Sequence, residues 1–91
     1  MAHILSEQLK DVSNELASIR TFENLIEKKF AVFYFKSKPF LHFHEKEGKR
    51  WAHVKNKLGK WIEIPIPFEA NKKQKNDFLK AVRSIHIEWI K

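Results

Sequence analysis

Cysteine is absent from this chain of 91 residues, which excludes disulfide frameworks, thiol catalysis and every zinc site that needs a thiolate. Any metal has to be held by His, Asp or Glu. Glycine occurs only at Gly48 and Gly59 and proline only three times, and no stretch reads as a linker or a low-complexity tract. Long apolar runs are missing as well. No segment approaches the ~18 apolar residues that span a bilayer, so no membrane partner is expected. The opening MAHILSEQLK has neither a basic n-region nor an apolar run, so it does not read as a signal peptide, and a cytoplasmic location is the default expectation.

Catalytic patterns are also lacking. The His-x-Glu deaminase pattern has no Cys pair to go with it. Ser6, Ser13, Ser18 and Ser84 fall on expected helices and Ser37 in a turn, none of them in a nucleophile elbow. The chain therefore reads as a small non-enzymatic binding or interaction domain with no implied cofactor.

What is present is positive charge, +7 overall and unevenly placed. Residues 1–35 hold four Lys/Arg against five Asp/Glu, whereas residues 36–91 hold fourteen against six. A basic C-terminal part suits an anionic partner such as nucleic acid. Of the eighteen basic residues only Arg20, Arg50 and Arg83 are arginine, so bidentate guanine or phosphate recognition is not the expected mode.

Leu5, Leu9, Val12, Leu16, Ile19, Phe22 and Ile26 recur at steps of three and four, which predicts an amphipathic helix over residues 6–28 with a potential break at Thr21. Asp11, Glu15, Glu23 and Glu27 then form its solvated face. From Phe30 the pattern changes to the β-branched and aromatic run FAVFYF, a central strand by composition. Lys38-Pro39 interrupts it, and PFLHFHEK follows.

Turn chemistry fixes the next registers. Glu47-Gly48 as a two-residue loop sets His42 opposite His53 and His44 opposite Trp51. Lys57-Leu58-Gly59 as a three-residue loop sets His53 opposite Glu63 and Lys55 opposite Trp61. One face then collects Leu41, Phe43, Ala52, Val54, Ile62, Ile64 and Ile66. The other collects Phe40, His42, His44, Trp51, His53, Lys55, Trp61 and Glu63, with Tyr34 brought beside His42 by a three-residue loop at Pro39.

After Pro65 and Pro67, Asn71 and Gln74 form a capping-box pattern, and Phe78, Leu79, Val82, Ile85 and Trp89 mark a second helix over residues 71–88. The expected fold is a single α+β domain over 1–91: an N-terminal helix, a four-stranded antiparallel meander and a C-terminal helix, a two-layer sandwich with both helices on one sheet face.

Three readings compete for the uncovered face. Tyr34, Phe40, Trp51 and Trp61, ringed by Lys36, Lys38, Lys49, Arg50, Lys55, Lys57 and Lys60, offer stacking platforms in a basic field for single-stranded nucleic acid. The same exposed aromatics could join two copies into a homodimer or meet another protein. His42, His53 and Glu63 in one row could hold a divalent metal, with His44 diagonal to them. Nucleic acid is the reading preferred, ahead of self-association and then metal.

Overall fold

The architecture is that of a computed structural model, which describes residues 6–91. His3 and Leu5, the latter counted above into the first helical stripe, lie outside the described residues. Leu9, Val12, Leu16 and Ile19 are all buried, and the segment that carries them winds as a 3-10 helix over Ser6–Val12 and as α1 over Ser13–Ile19. The helix ends there rather than at residue 28. Thr21 donates its hydroxyl to the Ser18 carbonyl at 2.6 Å, and Asn24 takes φ 66°, the left-handed conformation that terminates helices.

The remainder of the expected helix is a strand, β1 (Leu25–Lys29), and the sheet has five strands, not four. With β2 (Val32–Phe35), β3 (Lys38–Lys46), β4 (Lys49–Lys55) and β5 (Trp61–Pro65), it is an antiparallel meander in the order β1-β2-β3-β4-β5. The fifth strand has a physical reason. In a four-stranded meander the apolar VFYF would have been an edge strand, an invitation to aggregation. LIEKK pairs with it and presents Glu27, Lys28 and Lys29 at the edge instead. Its helical spacing was a coincidence: Phe22 packs on the core, while Ile26 is 53% exposed.

The two loop registers hold throughout. Glu47 (φ 52°) and Gly48 (φ 78°) both lie in the left-handed region, as a type I′ turn requires. His42 pairs with His53 and His44 with Trp51, while His53 pairs with Glu63 and Lys55 with Trp61. The Asn56 N–H donates to the Lys60 carbonyl at 2.8 Å to close the second loop, whose Gly59 has φ 88°.

The β2–β3 register differs from the expected one. Tyr34 pairs with Pro39 rather than standing beside His42, and the count shifts by one residue between Phe33 and Tyr34. The extra residue is Phe40, a bulge that turns both Phe40 and Leu41 inward.

α2 spans Lys72–Ile90. Asn71 Oδ1 accepts from the Gln74 N–H at 2.8 Å and Gln74 Oε1 from the Asn71 N–H at 2.9 Å, the reciprocal cap read from the sequence. Both helical regions cover one sheet face, and Leu9, Leu16, Phe33, Leu41, Val54, Ile66 and Phe78 share one core. Ile62, expected in that core, is 38% exposed because it sits on the edge strand β5. Among the described residues no helix is long and apolar enough to cross a membrane.

Candidate functional site

The uncovered face of β2–β5 is where most of the singled-out residues meet. Tyr34, His42, His44, Trp51, His53 and Lys55 are half-buried there, and Trp61 is 41% exposed. The rings interlock. His42 lies 4.4 Å from His44 and 5.5 Å from His53, and His44 lies 4.5 Å from His53, between ring centroids. The Trp51 ring stacks on His44 at 5.5 Å and 25°, while Trp61 meets His42 edge-on at 4.8 Å. Lys55 Nζ stands 5.5 Å from the Trp61 ring centre and Lys28 Nζ 4.5 Å from that of Tyr34.

Crowding has an electrostatic consequence. Burial, and next the charge of neighbouring His53, hold the His44 imidazole below its ordinary 6.5, with Glu63 pulling the other way. Its neutral form is therefore kept to lower pH. His44 Nε2 and Trp51 Nε1 are shielded from solvent without a hydrogen-bond partner, and no other shielded side-chain nitrogen or oxygen among the described residues shares that condition.

The register also sorts charge by face. Strand alternation puts Lys46, Lys49 and Lys55 with the histidines, Lys28 joins them over Tyr34, and Glu63 is the one acid paired into that row. The sheet's other acids point to the helix side: Glu27 pairs with Arg20 at 2.6 Å and Glu45 accepts from Gln8 at 3.2 Å. Arg20 beside it holds the Glu27 carboxyl below its ordinary 4.5.

Two residues assigned to this face are buried on the other side, and Lys38, of the basic ring, is the register partner of core-facing Phe35. Phe40 is fully buried on the helix side, edge-on to His86 at 6.0 Å and to Trp89 at 6.2 Å. The bulge accounts for it, because strict alternation through Phe40 would have kept it with His42. Arg50, counted among the basic ring, is also on the helix side, and its side chain is wholly buried. Nε donates to the Ile66 carbonyl, Nη1 to the Gln8 carbonyl and Asp11 Oδ1, and Nη2 to Asp11 Oδ2 and the Pro67 carbonyl, all within 2.6 to 2.9 Å. All five guanidinium N–H groups are thus satisfied, and the guanidinium also lies over the Phe68 ring at 4.7 Å.

Asp11 is accordingly no solvated helix residue: its hydrogen bonds to Arg50 hold its carboxyl below the ordinary 3.8, against the opposing effect of burial. Parity was the signal for Arg50, since an open-face Trp51 forces its neighbour to the covered side. His86 is likewise buried, donating from Nε2 to the Glu23 carbonyl at 2.7 Å.

Of the metal row, His42 and His53 come together, but the third member of the cluster is His44. One ligand nitrogen from each of the three histidines lies within 4.8 Å of the others. Glu63 Oε1 stands beside the group, 3.8 Å from His53 Nε2. Comparison of the chain with protein families, with curated proteins and with solved structures finds no match.

Proposed function

We propose that this protein is a non-enzymatic binding domain that takes single-stranded nucleic acid on the open face of its sheet. The observation that carries the reading is the segregation of charge described above: Lys28, Lys46, Lys49 and Lys55 share a face with the exposed Trp61 and the half-buried Tyr34 and Trp51, and among the strand residues described only Glu63 opposes them. Single-strand binding needs cations that follow the phosphates and flat rings on which bases stack. Trp61 is the most exposed ring of this face and is the first stacking platform; Lys55 beside it meets the adjoining phosphate. From β2 to β5 the face spans three strand spacings, about 14 Å, room for a short run of nucleotides.

The same charge pattern weighs against self-association through this face, because two copies would press like charges together. Loss of Phe40 and Arg50 to the interior narrows the nucleic-acid surface without removing either of its components. Fluorescence anisotropy with a labelled oligothymidine tests the reading. Binding should weaken steeply with added salt, and Trp61→Ala and Lys55→Ala should each reduce it. Absence of binding at low salt, or binding indifferent to both substitutions, would overturn it. Sedimentation of the free protein at twice 10.9 kDa that reverts to the monomer in Trp61→Glu would favour the homodimer instead.

A further inference from the structure

The imidazole cluster has a chemistry that nucleic-acid binding does not require. From its geometry we infer that His42, His44 and His53 form a three-histidine site for a first-row divalent transition ion such as zinc. His42 and His53 face each other across β3 and β4, and His44 is the next residue on the same face of β3. The backbone therefore delivers all three rings as a triangle, with one nitrogen from each already within 4.8 Å of the others. Zinc–imidazole bonds of about 2.0–2.1 Å in tetrahedral geometry require ligand nitrogens about 3.3 Å apart. Closing that gap needs only tilts of the side chains about their own torsions, since the register already sets the ring positions.

Four features make this a site rather than a chance gathering. His44 Nε2 is shielded and has no hydrogen-bond partner, so no protein group competes with a metal for that nitrogen. Trp51 stacked on His44 and Trp61 against His42 wall the cluster on two sides and limit its exposure to water. Glu63 Oε1 lies 3.8 Å from His53 Nε2, and a small shift of its exposed side chain would bring it to the hydrogen bond by which carboxylates orient ligating histidines. An all-imidazole donor set suits zinc, cobalt, nickel or copper, whereas magnesium and calcium demand oxygen. Three protein ligands leave one coordination position for water or an added anion.

Calorimetric titration of the full chain with zinc, without oligonucleotide, tests the inference. One zinc per chain should bind, and His42→Ala, His44→Ala and His53→Ala should each weaken it more than about tenfold. Glu63→Gln should cost on the order of tenfold. His3→Ala should change nothing. Circular dichroism checks that each variant is folded. Independently of any variant, zinc added to the unaltered protein should shift the imidazole resonances of His42, His44 and His53 together in nuclear magnetic resonance spectra and leave His86 unmoved.

No stoichiometric uptake would overturn the site, as would uptake that survives His42→Ala combined with His53→Ala, or shifts at other histidines. Oligothymidine binding measured in the presence of a chelator keeps this result separate from the nucleic-acid reading. Either can then fail alone.

Discussion

Arg50 and Trp51 are neighbours on β4 and face opposite ways, and their surroundings differ as completely as the two sides of the sheet. On the helix side, a buried cation has an acceptor for each of its five N–H groups. On the open side, the Trp51 indole N–H and the His44 nitrogen beside it are shielded and have none. Burying polar groups is costly unless they are paired, so the first arrangement belongs to a finished core. The second belongs to a surface with hydrogen-bonding and coordinating capacity to spare. Stability and binding are therefore divided between the faces of one sheet, and substitutions on each should separate them.

The largest expected effect is on the covered side. Arg50→Met removes the partner of Asp11 and leaves three carbonyls without their donor, which should cost about 3–5 kcal/mol of stability in urea unfolding. Arg50→Lys should recover little of this, since an ammonium cannot reproduce the planar fork. Asp11→Ala should cost less, about 1–3 kcal/mol, because the carbonyls of Gln8, Ile66 and Pro67 still hold the guanidinium.

Acid gives the same contact a pH signature. The Asp11 carboxyl has a lower folded than unfolded pKa, so its contribution is fully present above the ordinary 3.8 and disappears as pH falls through the lower folded value. Thermal unfolding between neutral pH and about pH 3 should show that loss in the unaltered protein and a smaller one in Asp11→Ala.

On the open side the balance should invert. Trp61→Ala should change stability by under about 1 kcal/mol, while costing oligothymidine binding about 1–3 kcal/mol for a lost stacking platform. Lys55→Ala should lower the slope of log affinity against log salt by about one. A large stability loss with unchanged binding would erase the distinction between the faces. The smallest expected effect lies at the turn that sets their register: Glu47→Asn relieves a left-handed residue at φ 52° and should raise stability by under about 1 kcal/mol.

Much of this division was legible in the sequence wherever glycine fixed a loop. Gly48 and Gly59 determined two registers, and from these the histidine row, Trp51, Lys55, Trp61 and Glu63 followed by alternation. What alternation cannot reveal is a bulge, and Phe40 went to the wrong face for that reason. The first helix was read too long because Phe22 and Ile26 happened to continue its spacing; the competing need of VFYF for an edge partner is a tertiary demand that local periodicity does not carry. Arg50 was legible in principle. Its parity with Ala52 and Val54 placed it inside, but its acceptors come from the N-terminal segment and the loop after β5, which only the folded chain brings together.

The central claim is that ligands meet the open face, and the three indoles give it a direct test. Trp51 and Trp61 lie on that face, whereas Trp89 donates its indole N–H to the Lys55 carbonyl from the helix side at 2.8 Å. A low-salt oligothymidine titration followed by nuclear magnetic resonance at the indole N–H signals should move Trp51 and Trp61 and leave Trp89 in place. Movement of Trp89 alone, or of no indole, would contradict the account.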